Sequence, residues 1–181
     1  MKTILTKKTL VAFVLFMTLS QISFSQNYSE DESGSETTTV TELNGENVSP
    51  EVFNSFFNTT VNTKLATVQG NSVFVTQIGE YNKVAASVIT NASDINIAQN
   101  GDLNKVQLVY EVDKVVADLA QNGNENEIKD YVIDTNAEIS LDLTQNGDNL
   151  KFERFGANKI SRNIKFTQTE ASPTIIIRSF K

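Results

Sequence analysis

The side chains able to carry chemistry in this chain are amides, hydroxyls and carboxylates, because it contains neither histidine nor cysteine. The commonest general base and metal ligand is missing, and so is any disulfide or thiolate site. Composition alone therefore excludes a zinc hydrolase, a Ser-His-Asp enzyme and a Cys-His enzyme. Paired-carboxylate chemistry would need two acids in a pocket that shifts their pKa values, and no pair here is set apart by its surroundings. The Asn-Gly-Asp and Asn-Gly-Asn segments lack a Ca²⁺ ligand loop of known spacing. The expectation is a protein that is not an enzyme and takes no cofactor, metal or small-molecule substrate. What remains is the carboxamide, which donates and accepts hydrogen bonds at once.

Those amides are spaced. Gln77, Gln99, Gln121, Gln145 and Gln168 follow one another at intervals of 22, 22, 24 and 23 residues. Each closes a short alternating segment: Val73 and Val75 before the first, Ile95 and Ile97 before the second, Leu119 before the third, Leu141 and Leu143 before the fourth, Ile164 and Phe166 before the fifth. A period of two puts these apolar side chains and the Gln on one face of a strand. Gly79, Gly101, Gly123 and Gly147 each stand two residues past the Gln, where a turn requires positive φ. Asn82, Asn104 and Asn126 stand five past it. Counting onward by two places Val84, then Val106 and Leu108, then Ile128, on a second inward face.

Each unit is thus a strand–turn–strand that cannot bury its own face, and stacking is the way out. The predicted fold is all-β: a β-solenoid of about five arches over 72–181 (roughly 72–93, 94–115, 116–138, 139–162 and 163–181), preceded by an acidic disordered leader. At an interstrand spacing of ~4.8 Å five rungs rise ~24 Å. Gln stacks on Gln and Asn on Asn, forming ladders of amides around a thin apolar seam.

The end repeats depart from this pattern. Asn149 lies four, not five, residues after Gln145, which predicts a one-residue slip or bulge. The last repeat has no Gly and carries Pro173 at the Asn position, as an edge or terminal rung would. Ile175 and Ile177 keep the inward parity, and with Arg178 and Lys181 they are expected to form a docking end. Asp130 falls on an inward position, where an unpaired carboxylate is costly, so the strand is expected to bend there or the packed part to stop short of it.

The elements before the repeats read differently. Lys2, Lys7 and Lys8, the apolar run from Leu10 to Met17, and Ser23-Phe24-Ser25 make a three-part export signal over residues 1–25, with cleavage expected after Ser25. Its apolar run is shorter than the ~20 residues a spanning helix needs. Residues 26–48 are an acidic, Ser/Thr-rich leader with too little apolar surface to offset its ordering entropy. Residues 49–71 form a transition. There Ser49 and Pro50 suit a helix start, and Val52, Phe53, Phe56 and Phe57 a short apolar stripe capping the first rung. The full chain carries 15 basic and 22 acidic residues. Without the three signal lysines this becomes 12 against 22, which argues against binding nucleic acid. The charge is polarised: seven acids and no base over 26–51, but seven bases and two acids over 149–181.

Gln-x-Gly-x-x-Asn at about this spacing, standing here as Gln77–Asn82, Gln99–Asn104 and Gln121–Asn126, resembles the curlin repeat of curli amyloid fibre subunits. The family pattern also has a second Gln six residues after the Asn; here Val88, Tyr110 and Val132 stand instead. The resemblance implies an exported fibre (pilus) subunit, either major or minor and nucleating, that acts at the bacterial cell surface in adhesion and biofilm. Its implied partners are further copies of itself, another curlin-repeat subunit, and outer-membrane secretion and assembly machinery. The alternative is a capped β-solenoid that serves as a surface adhesin or binding module and does not polymerise.

Overall fold

The computed structural model describes residues 40–180; the expected signal, leader residues 26–39 and Lys181 lie outside the described residues. The strands are β1 (Val40–Leu43), β2 (Glu46–Asn47), β3 (Asn71–Ile78), β4 (Lys83–Ile89), β5 (Ala92–Asn100), β6 (Lys105–Asn122), β7 (Asp134–Asn146), β8 (Lys151–Arg154), β9 (Asn163–Thr169) and β10 (Thr174–Phe180). One helix, α1 (Pro50–Phe56), and a 3₁₀ turn (Thr63–Ala66) precede the solenoid.

Five rungs stack in parallel. In the first sheet β3, β5, the second half of β6, β7 and β9 pair in that order, with Gln77, Gln99, Gln121, Gln145 and Gln168 in mutual register. In the second, β4 pairs with the first half of β6, and Glu127 bridges Lys105 to Lys151. From there β8 pairs with β10. The alternating side chains meet between the sheets: Ile95, Ile97, Val106, Leu108, Leu119, Ile128, Leu141, Leu143, Ile164 and Ile177 are all buried. Phe166, Val84 and Ile175 pack against them from partly exposed positions. Val73 and Val75, expected in the core, are 46% and 44% exposed. Their parity is inward, but no rung lies above them.

The 24-residue interval has a local cause. Val112 pairs with Asp134, 22 residues on, whereas Lys114 pairs with Glu138, 24 residues on. Two extra residues are thus absorbed as a bulge at the start of β7. The expected slip in the fourth repeat does not occur. Asn149 takes the left-handed position occupied in earlier turns by Tyr81, Leu103 and Glu125 (φ 58° to 59°). Asn visits that region more readily than most residues. Leu150 then fills the place of the ladder Asn, and the register is unbroken.

The segment before the repeats is the larger correction. Residues 40–48 are not part of a loose leader, and α1 does not cap the first rung. β1 and β2 form a hairpin whose Asn44-Gly45 turn has φ of 53° and 89°, the geometry two-residue hairpins favour. β1 lies antiparallel on β10, pairing Val40 with Phe180 and Leu43 with Ile177. Ser49 caps α1, its Oγ accepting from Val52 N at 3.4 Å. Phe53 and Phe57 then close the core at rung 5, with Phe57 edge-on to Phe166 at 4.9 Å. Val52 and Phe56 of the expected stripe stay exposed. Asn58 bridges Lys165 of rung 5, and the chain then crosses the outside of the first sheet back to rung 1. On the way Leu65 is buried, and Lys64 Nζ reaches Asp118 at 3.1 Å and Asp94 at 3.6 Å.

Candidate functional site

The amide column is continuous. Gln77 Nε2 donates to Gln99 Oε1 at 2.7 Å, Gln99 to Gln121 at 2.8 Å, Gln121 to Gln145 at 2.9 Å and Gln145 to Gln168 at 2.8 Å. From Gln99 onward each Nε2 also donates across the arch, as Gln121 does to Lys105 O at 3.0 Å and Gln168 to Lys151 O at 2.8 Å. The four inner Gln are essentially buried, yet no buried side-chain N or O among the described residues lacks a partner. A buried polar seam is tolerable only when satisfied in this way.

The Asn residues work differently from the expected side-chain ladder. Asn82 Oδ1 accepts from the backbone N–H of Asn104 at 3.0 Å, and its Nδ2 donates to Gly101 O at 2.7 Å. Asn104 repeats both bonds one rung on, to Asn126 N and Gly123 O. Asn126 does so again, to Leu150 N and Gly147 O. Each Asn thus clamps the backbone of the following turn. The turn glycines are held by that stacking: a Cβ on Gly79, Gly101 or Gly123 would overlap the carbonyl oxygen of the next glycine.

The two ends of the column are unlike. At rung 5 the Nε2 of Gln168 is fully used, by Lys151 O and by Ser172 O at 2.9 Å. β10 is flanked by β8 and β1, so Ile175 and Ile177 lie under a cap, and Arg178 is paired in register with Glu42. The expected docking end is therefore closed; Lys181 lies outside the described residues. A buried polar cluster fastens the cap, with Asn158 Nδ2 donating to Thr41 Oγ1 at 2.8 Å and Ser161 Oγ lying 2.5 Å from Ser179 Oγ. At rung 1 the opposite holds. Among the described residues nothing pairs with the outer edges of β3 and β4, and a groove of about 780 Å³ opens there, lined by Val73, Val75, Gln77, Val84 and Ala86 and bordered by Lys83, Lys105, Glu127 and Lys129.

The bend expected at Asp130 is present, but it does not carry the carboxylate out of the packed part. The chain does leave strand geometry there, with φ positive from Lys129 through Ile133. Yet the Asp130 carboxylate is fully buried, accepting from Arg154 Nε at 2.5 Å and Nη2 at 2.9 Å and from the Tyr110 hydroxyl. Burial opposes the charge of Arg154, but the Asp130 carboxylate and Tyr110 together outweigh it and hold its pKa above the ordinary value. Arg154 is thus an internal counter-ion and not part of a basic surface. The outward acids are matched locally: Asp142 to Lys165 at 2.6 Å, Glu127 to Lys129 at 2.8 Å, and Glu138 to Lys114 at 2.7 Å.

Burial, and then the Asp130 carboxylate, push the Tyr110 phenol well above its usual value. Folding therefore favours the neutral phenol. Its stabilisation is complete below the free-phenol value of about 10 and is lost as pH rises through the folded value. In an ultraviolet titration one phenol should ionise only with alkaline unfolding, and Tyr110→Phe should remove that late step. Full ionisation of every tyrosine before unfolding would contradict the buried placement.

Sequence reasoning missed the cap and the Arg154 partner, though both left a trace. Asn44-Gly45 between Val40–Leu43 and Glu46–Val48 is a strong short-range hairpin signal. Arg154 follows Asp130 by 24 residues, the interval that separates Gln121 from Gln145. Among the described residues no cluster of acids is arranged to hold a metal, and no helix is long and apolar enough to cross a membrane. Compared with known protein families, curated proteins and solved structures, the chain matches none, so the solenoid and its ladder carry the functional reading by themselves.

Proposed function

We propose that this chain is an exported structural subunit of a curli-like fibre, acting at the bacterial surface in adhesion and biofilm matrix as an initiating or accessory component. The observation that carries the reading is the parallel, in-register column of five Gln amides whose acceptor end, at Gln77, is open. An uncovered β edge with matched polar and apolar rows is a template for another chain. A second curlin-repeat subunit and an outer-membrane assembly apparatus are the partners this reading entails.

One observation favours the second reading, a surface module that does not polymerise: rung 5 is covered by an antiparallel strand, which blocks parallel growth from that end. Fibre diffraction and dye binding separate the two on the chain from Gln26, incubated alone and with a curlin-repeat partner. A fibre component gives cross-β reflections near 4.8 Å in at least the mixed sample. A product that stays monomeric in both, while deletion of 40–57 brings on aggregation through the uncovered β10, establishes the capped module instead.

A further inference from the structure

The open rung has a defined hydrogen-bond polarity. Inside the stack, rungs 2 and 3 each receive from the one before three bonds: a Gln Nε2 on the Gln Oε1, an Asn Oδ1 on the Asn N–H, and an Asn Nδ2 on the Gly carbonyl. At rung 1 the receiving groups, Gln77 Oε1, Asn82 N–H and Gly79 O, have no partner among the described residues. They form an acceptor–donor–acceptor set along one edge of the groove, and among the described residues the outer edges of both flanking strands are unpaired.

We propose that rung 1 is a one-way docking face that takes, in parallel register, a Gln-x-Gly-x-x-Asn arch of a different polypeptide, and that it does not take a second copy of this chain. Three observations choose the occupant. The chain's own last rung cannot supply the match: the Gln168 donor is used internally, Pro173 replaces the Asn, and β1 covers β10. Two copies meeting at their open ends bring Gln77 acceptor to Gln77 acceptor and run the strands antiparallel, so the set stays unpaired, which is costly once buried. Residues 26–39 of the same chain have no alternating apolar residues to fill the groove. An incoming arch meets all three groups, and a carboxylate one residue past its Asn would lie beside Lys83, which is now stacked on Lys105.

This inference rests on the fibre-subunit reading for its biological setting, but its test is independent. The probe is a synthetic arch of this protein's rung 2, residues 92–111, which carries Gln99, Gly101 and Asn104. Added to the chain from Gln26, it should slow hydrogen exchange of the β3 and β4 amides at least tenfold, while sedimentation shows the protein without peptide as a monomer. Gln99→Leu or Asn104→Ala in the peptide, or Gln77→Leu in the protein, should each weaken binding on the order of tenfold, the effect of one well-placed hydrogen bond. A rung-5 peptide, residues 160–180, should not bind. The proposal falls if the rung-2 peptide gives no protection, if the rung-5 peptide protects equally, or if the protein dimerises and Val75→Lys abolishes the dimer. Fibres formed without peptide protection would leave the fibre reading standing and remove this one. Protection with no fibre under any condition would do the reverse.

Discussion

Gly101→Ala should unfold the solenoid or lower its stability by roughly 4 kcal/mol or more, the range reserved for strained backbone and unrelieved overlap. Two effects coincide there. The residue has φ +122°, which L side chains rarely adopt, and a Cβ would overlap the carbonyl oxygen of Gly123. Neither backbone can give way, since Gly101 N donates to Ile78 O at 3.0 Å, Gly123 N donates to Asn100 O at 2.9 Å, and Asn104 Nδ2 holds that same Gly123 carbonyl at 2.7 Å. Gly147→Ala should be milder, because its Cβ meets the side chain of Glu170, which can swing aside. Gly45→Ala, with φ +89° but open space around it, should cost only about 1–2 kcal/mol. Denaturant midpoints of the three variants rank these effects. Equal losses at Gly101 and Gly45 would show that stacking does not constrain the turn.

Arg154→Met should destabilise the protein by about 3–5 kcal/mol, the usual consequence of removing one partner from a buried ion pair. Both side chains are fully inaccessible, and the Asp130 carboxylate takes two bonds from the guanidinium. Without them, only the Tyr110 hydroxyl remains to compensate a fully buried carboxylate. A double variant, Asp130→Leu with Arg154→Met, should recover most of the loss, since an apolar pair of similar volume fills the column without desolvating charge. Equilibrium unfolding of the two single variants and the double gives the coupling. If the losses simply add, the pair does not act as a unit.

The hydrogen-bonded pair and the glycine column show how the sequence could be read and where it misled. Alternation before each Gln specified which side chains face inward, because strand parity is a local property of two residues. It correctly placed Ile95, Leu141 and Ile164, and it put Val73 and Val75 on the same face without revealing that nothing covers them. Asn149 misled because the spacing of one residue type was followed in place of the backbone position. The turn needs a left-handed residue four past the Gln, and Asn supplies it more readily than the Tyr, Leu and Glu of the earlier turns. Asp130 looked like an obstacle because its partner is 24 residues away on another rung. The hairpin at Asn44-Gly45 was hidden inside an acidic, Thr-rich stretch whose composition argued for disorder.

The sequence alone determined the repeating unit: one arch per Gln, its inward face, its turn and the parallel stack that buries both. These follow from periodicity, and any rung reports them. It could not decide which end of the stack is open, because a translational repeat presents the same unpaired edges at top and bottom. That choice belongs to the tertiary structure. Residues 59–70, able to span about 40 Å when extended, reach past five rungs that rise ~24 Å. They let β1, Phe53 and Phe57 cover rung 5, the Asn series having already given way to Leu150 and then Pro173. Rung 1 is left with Gln77 as the uncovered end of the ladder.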